Sequence, residues 1–322
     1  MNAATVPVAL AVLGGDGTLD DASKELLSVA GLLGDVHGLW FGEPMPTLVE
    51  SVARYGVSTL HHCVLAAAST NEQVAGAVAA VAVETGADVV LLPAAVDRTE
   101  IAARVAHELG AAIVVGATSI ARDADSRVVV DTDCFAGTWA VQARVSRPRA
   151  VVTLCANAAP ALDVGPARAV TVRPQPVPPL SASRVRLVSR ATHPVSGRPS
   201  LAQAPVVVVG GRGTGGDFGP LEELAELLGG AVGSTKVAVD EGWISPATQV
   251  GQTGVSIAPR LYIGAGVSGA IHHRGGMRSS RTIVAINHDP EAPIFEIADV
   301  GVVGDLFTVL PALTAELRTR MG

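Results

Sequence analysis

The C-terminal third of the chain holds the side chains best suited to meet an anionic ligand such as a dinucleotide. They are Arg212 inside a glycine turn, Lys236 after a small-polar run, and the adjacent pair His272 and His273. Neighbouring residues on a helix point about 100° apart, so the two histidines cannot face one ligand in the same way. Helical metal pairs come at i, i+4, which argues against a metal here. Arg212 lies between Gly211 and Gly213, directly after the apolar β-branched run Val206–Val209, and a helical pattern follows from Leu221 to Leu228. Strand, glycine-rich turn and helix is the arrangement in which bare backbone N–H groups and a helix start face a pyrophosphate, because glycine tolerates close approach and positive φ. A plain βα connection has the same appearance.

Four further loops of small polar residues share this stretch: 233–236, 249–254, 266–273 and 287–289. In a parallel sheet such loops converge at the carboxyl ends of the strands, where open α/β sheets bind ligands. Ser268, Gly269 and Ala270 stand at a loop-to-helix junction, a place for an anion or simply for an N-cap serine. No Ser/His/Asp order with a nucleophile elbow, zinc signature or CxxC is present, and Asp240 and Glu241 are adjacent and splay apart, which suits a surface pair better than an acid and a base.

In this order and spacing GGRG, AVGSTKVAVDEGW, QVGQTG, APRLYIGAGVSGAIHHRGGM, TIVAIN, DPEAPIFEIAD and GVVGDLF resemble the FAD-binding domain of the alpha subunit of electron transfer flavoproteins. The resemblance is dense over the last third of the chain and loose over the N-terminal part. It implies FAD as cofactor and places Arg212 at the family's arginine in GRG. Thr235 and Lys236 fall where the family usually has serine and an arginine lying over the isoalloxazine; lysine keeps the charge but loses the planar guanidinium. Gln252 and Thr253 fall at the flavin ring, the threonine hydroxyl near N5, with Val250 and Gly251 beside them. Ser268, Gly269, Ala270 and Ile271 lead to His272, where the family usually has glutamine, and to His273, matched to a histidine beside the pyrimidine edge. Asn287, Asp305 and Leu306 match the adenosine end. The resemblance further implies an electron carrier rather than an enzyme. It would be an obligate heterodimer with an electron transfer flavoprotein beta subunit, taking electrons from flavoprotein dehydrogenases such as acyl-CoA dehydrogenases and passing them to a membrane quinone oxidoreductase. One rival is a bifurcating version with a second FAD in the partner and NADH as donor. Another is an NAD-dependent enzyme, deoxyhypusine-synthase-like or sirtuin-like, on a similar sheet.

These loops need a scaffold, and 322 residues allow two domains with a core each. With 48% apolar residues but only 3% aromatic, the core must be Ala, Val, Leu and Ile, which suits helices on parallel sheet. Short apolar runs alternate with helical patterns of ten to fifteen residues from Val6 to Leu154, the mark of βαβ units. The expected fold is therefore α/β in two domains, each a mainly parallel sheet flanked by helices: a nucleotide-binding-like domain over 1–195 and a Rossmann-like FAD-binding domain over 196–322. The proline-rich stretch 165–205 reads as a connection, with Val185–Val188 as an edge strand and 196–204 as the linker. Gly14–Gly17 is a turn after a strand and lacks the lysine of a P-loop. A net charge of −7 without a basic run argues against nucleic acid or an anionic membrane surface as partner. Cys63, Cys134 and Cys155 have no metal-ligand spacing and read as reduced core residues. Neither a signal peptide nor a membrane span is evident, so a soluble, cytoplasmic protein is expected.

Overall fold

The computed structural model describes residues 6–321 except 16, 67, 68, 136, 157, 166–168, 178–184, 186, 187 and 190–198. The chain divides into two compact units, Met1–Asp133 with Ala140–Thr192, and Cys134–Trp139 with His193–Gly322. Both are mainly parallel sheets flanked by helices, as the alternating pattern predicts.

The first sheet has nine strands: β1 (Val8–Val12), β2 (Asp35–Phe41), β3 (Val57–Cys63), β4 (Val89–Pro93), β5 (Ala112–Arg122), β6 (Val128–Cys134), β7 (Trp139–Arg144), β8 (Ala150–Leu154) and β9 (Thr171–Pro174). Their order is β7-β6-β5-β8-β4-β1-β2-β3-β9, with β5 and β6 antiparallel. Helices α1 (Asp21–Gly31), α2 (Pro46–Arg54), α3 (Asn71–Thr85) and α4 (Val96–Leu109) connect the first five strands. Asp20 caps α1 by accepting from the Ser23 N–H at 2.8 Å. Two expectations change. The edge strand is Thr171–Pro174, parallel to β3, inside the stretch read as a connection, and its terminal proline is tolerable because an edge strand has a side without partners. Of Val185–Val188, residues 186 and 187 lie outside the described residues, as do 196–198 of the expected linker. The far end of that linker is not linker at all, since Ala204 is buried and Leu201 packs against the second unit's core. Cys63 is buried, while Cys134 and Cys155 are only partly so.

The second unit is a five-stranded parallel sheet, β10 (Val206–Gly210), β11 (Ala231–Ser234), β12 (Leu261–Ala265), β13 (Ile283–Asn287) and β14 (Val300–Val303), in the order β11-β10-β12-β13-β14. Val207, Val208 and Val209 of β10 are 0% exposed. Successive side chains take opposite faces, so Val208 enters the cluster with Leu221, Leu224 and Leu310, and its neighbours enter the cluster with Tyr262 and Ile283. Burying one such side chain stabilises by about 1.5–3 kcal/mol, enough to fix the register of β10 at the sheet's centre. Helices α5 (Gly219–Leu227) and α8 (Leu306–Met321) cover the first face, and the short helices α6 (Lys236–Asp240) and α7 (Ile271–Arg274) follow β11 and β12. The chain leaves β10 toward β11 on one side and later returns to build β12 on the other. The strand order thus reverses between β10 and β12, and a crevice opens beyond their carboxyl ends, Gly210 and Ala265.

Candidate functional site

At that crevice lies a cavity of about 680 Å³, inside the roughly 300–1,000 Å³ range of cofactor sites. Its wall is drawn from the loops after β10, β11, β12 and β13. Backbone contact between two of these loops shapes its floor. Gly211 N donates to Ala265 O at 3.1 Å and Gly213 N to Gly266 O at 3.0 Å. A Cβ on Gly211 would lie 2.2 Å from the Gly266 oxygen, so the glycine turn after β10 is required by this crossing.

Twelve of the residues singled out in the sequence line this cavity: Arg212, Thr235, Lys236, Val250, Gly251, Thr253, Ser268, Gly269, Ala270, His272, His273 and Asn287. Their placements differ in kind. Thr235 is the N-cap residue of α6, and its Oγ1 is buried without a protein hydrogen-bond partner. Lys236 is exposed and pairs through Nζ with Asp240 Oδ2 at 2.5 Å, one turn along α6. Thr253 Oγ1 accepts from Gln249 Nε2 at 3.0 Å. Asn287 is buried and braces two loops, donating to Val267 O at 2.9 Å and accepting from Asp289 N at 3.1 Å. His273 is 6% exposed. Its Nδ1 lies 3.0 Å from Val250 O and its Nε2 2.8 Å from the Tyr262 hydroxyl. Burial pushes its pKa down to about 4, against the opposing effect of the Val250 carbonyl.

Gln252, Ile271, Asp305 and Leu306 are not on the cavity wall. Gln252 is exposed and contributes its backbone, the N–H donating to His272 O at 2.8 Å and so tying loop 249–254 to α7. Ile271 points to solvent. Asp305 caps α8, accepting from Phe307 N at 3.1 Å, and Leu306 is buried in the core of the second unit. The wall also includes Gly213, Val237, Gln249, Gly266, Val267, His288, Asp289, Ala292 and Pro293. Gln249 and 287–289 belong to loops the sequence already marks. Ala292 and Pro293 come from the start of a 3-10 turn beyond β13 (Pro293–Glu296), within the DPEAPIFEIAD segment, although neither residue is singled out there.

The residues present suit FAD. A buried hydroxyl without a partner costs about 1–3 kcal/mol, and the one on Thr235 belongs to the cavity wall. Two cations, Arg212 and Lys236, stand there to balance an anion, and glycines 213, 251, 266 and 269 let the loops of the wall pack closely on their neighbours, where a Cβ would clash. Among the described residues no three His, Cys, Asp or Glu side chains gather to hold a metal, and no helix is long and apolar enough to cross a membrane.

Comparison with known proteins agrees with this geometry. Residues 200–278 match the electron transfer flavoprotein FAD-binding domain, and residues 9–180 match the electron transfer flavoprotein domain. The electron transfer flavoprotein subunit alpha of Mycobacterium leprae is 38% identical over 314 residues, covering 95% of this chain and 96% of the relative. That of Syntrophomonas wolfei is 37% identical over 309 residues, covering 94% and 96%. The mitochondrial protein of Dictyostelium discoideum is 59% identical over 125 residues, which are 38% of this chain and 35% of the relative. With both family domains matched in chain order and relatives aligned over nearly their whole length, this chain belongs to the electron transfer flavoprotein alpha-subunit family.

Proposed function

We propose that the cavity beyond β10 and β12 holds FAD and that the chain works as the alpha subunit of a heterodimer with a beta subunit. In this reading it carries electrons from flavoprotein dehydrogenases, such as acyl-CoA dehydrogenases, to a membrane quinone oxidoreductase. The observation that supports the reading most is that the cavity is built largely by residues of the matched FAD-binding segment. When bound, the flavin accepts and releases electrons one or two at a time.

The chain's own residues do the rest. The backbone of loop 267–270 supplies N–H groups for the anionic part of the cofactor, while the glycines at 211, 213, 266 and 269 let the loops that form the wall pack closely on their neighbours. Arg212 and Lys236 add positive charge, that of Lys236 shared with Asp240. Thr235 and Thr253 offer hydroxyls and Asn287 holds two wall loops together. His273 fills the inner wall as a neutral ring, which excludes water from that side.

The test is to purify the chain with its beta subunit, record the visible spectrum and add an acyl-CoA dehydrogenase with its acyl-CoA. The expected result is a flavin spectrum, released by acid because the flavin is not covalently held, that bleaches on addition of the dehydrogenase. A colourless heterodimer that takes up no FAD contradicts the cofactor site. Bleaching by NADH alone would point to the bifurcating version instead.

A further inference from the structure

The wall segment that brings Ala292 and Pro293 to the cavity has little of its own to hold it. It leads into a single 3-10 turn, Pro293–Glu296, and the neighbouring wall ends in α7, a helix of four residues. Neither length is stable without ties to the rest of the fold. Three ties are present at the turn. Ile294 is 0% exposed and clusters with Ala285 and Ala292. Its backbone N–H donates to Ser268 O at 3.0 Å. Glu296 Oε2 accepts from Nη1 of Arg274, the last residue of α7, at 2.7 Å.

The Arg274–Glu296 pair differs in burial from the pairs made by Lys236, Arg318 and Arg320, whose side chains are more than half exposed. The Arg274 side chain is 19% exposed and that of Glu296 68%. A fully exposed pair contributes little, because water and salt screen it, whereas a cation largely out of water depends on its anion. Neither residue lines the cavity, yet both belong to segments that do: Ser268, Ala270 and His272 on one side, Ala292 and Pro293 on the other. These segments follow β12 and β13, which are adjacent in the sheet. The Ile294–Ser268 bond joins them at one point and the ion pair joins them at a second. Two attachments, one at residue 268 and one at residue 274, stop the turn from pivoting about a single hydrogen bond.

We propose that Arg274 and Glu296 are a positioning pair for the cofactor: they clamp the 3-10 turn onto segment 268–274, so that this part of the wall is already formed when FAD arrives. The pair raises affinity by preorganisation and without touching the ligand. The inference rests on the reading that FAD occupies this cavity.

The experiment measures FAD titration and amide hydrogen exchange of the cofactor-free heterodimer for the parent, Arg274→Met, Glu296→Gln and the double variant. Each single variant should speed exchange at the Ile294 amide and raise the Kd for FAD about three- to tenfold, between the worth of an exposed pair and that of a buried charged hydrogen bond. In the Glu296→Gln background Arg274→Met should change Kd by less than about 1.5-fold, because the arginine acts through the glutamate. Arg274→Lys, which keeps a cation for a single contact, should stay within about twofold of the parent. An equal loss of affinity from Arg274→Met in both backgrounds overturns the proposal, since the arginine would then act on the cofactor itself. Unchanged Kd in both single variants overturns it too, whatever happens to their stability. Where Arg274→Met fails to fold, Glu296→Gln at the exposed end of the pair gives the same reading. A parent heterodimer that does not bind FAD removes the flavin reading and the positioning role with it, while exchange at Ile294 judges the clamp independently.

Discussion

At Thr235 the protein buries a hydroxyl and leaves it without a protein partner, and this residue belongs to the cavity wall, so the position tests whether the cofactor reaches it. Thr235→Val keeps the shape and removes the hydroxyl. Cofactor-stripped protein carrying it should be as stable as the parent or more stable by up to about 2 kcal/mol, whereas FAD affinity should fall about fivefold, roughly 1 kcal/mol. Urea denaturation and FAD titration together check this, and the opposite signs are its signature; unchanged affinity would place the hydroxyl away from the cofactor. The family pattern draws attention to this position, but nothing in the sequence tells an orphaned hydroxyl from a helix cap. Lys236 shows the same division. Its charge is plain from the sequence, and Asp240 four residues on is a natural helical partner, yet the pairing that shares the charge is visible only in three dimensions. Tyr262 was harder still. An aromatic residue in an apolar strand looks like core filler, and its partner is eleven residues away on another element.

The elements were easier to foresee than the contacts between them. Strand runs such as Val206–Val209 and loops rich in glycine have compositions that mark them locally, because both-face burial and positive φ each demand particular residue types. Strand β9 has no signature of its own, because its four exposed residues lie among prolines and pairing with β3 defines it. The turn holding Ala292 and Pro293 lies in the DPEAPIFEIAD segment that the sequence marks, but tertiary packing brings it to the cavity. Its closest approach is to Gly269, which has φ +80° and would place a Cβ 2.5 Å from the Ile294 nitrogen. Gly269→Ala must therefore strain the backbone and push loop 266–270 away from the 3-10 turn. A loss of at least about 2 kcal/mol in unfolding free energy is expected, with reduced flavin content in what folds. A variant as stable and as yellow as the parent would show that the two loops are free to separate.

For the molecule as a whole, buried histidines set a response to acid. In the first unit His61 is 1% exposed and lies in a chain of polar contacts: Gln175 Nε2 at 3.0 Å, His37 Nδ1 at 3.1 Å, and from His37 Nε2 to Asp35 Oδ2 at 3.2 Å. Burial, helped by the neighbouring His37 and Arg173 and opposed by Glu84, lowers the pKa of His61 to about 4 from 6.5. The unfolded chain therefore takes up a proton on His61 before the folded one does. The stability due to the neutral ring is complete above pH 6.5 and declines as pH falls toward 4, by up to about 3 kcal/mol. Urea unfolding from pH 7.5 to pH 4 should show this decline, and His61→Gln, which cannot titrate, should flatten it. Identical pH slopes in the two proteins would mean that His61 takes up its proton at the same pH in the folded and unfolded chains. The sequence does not show this, since a histidine in a strand carries no sign of the neighbours that β2 and the end of β9 bring to it.

Hydrogen exchange of the heterodimer with and without FAD measures directly where the flavin sits. Slower exchange on FAD binding is expected at 211–214, 234–236, 250–254 and 266–273, the loops at the carboxyl ends of β10, β11 and β12 together with the strand-like turn that joins them, with no change at 13–18 or 94–99 at the strand ends of the first unit. Protection appearing in those first-unit loops while 266–273 exchanges as before would contradict it.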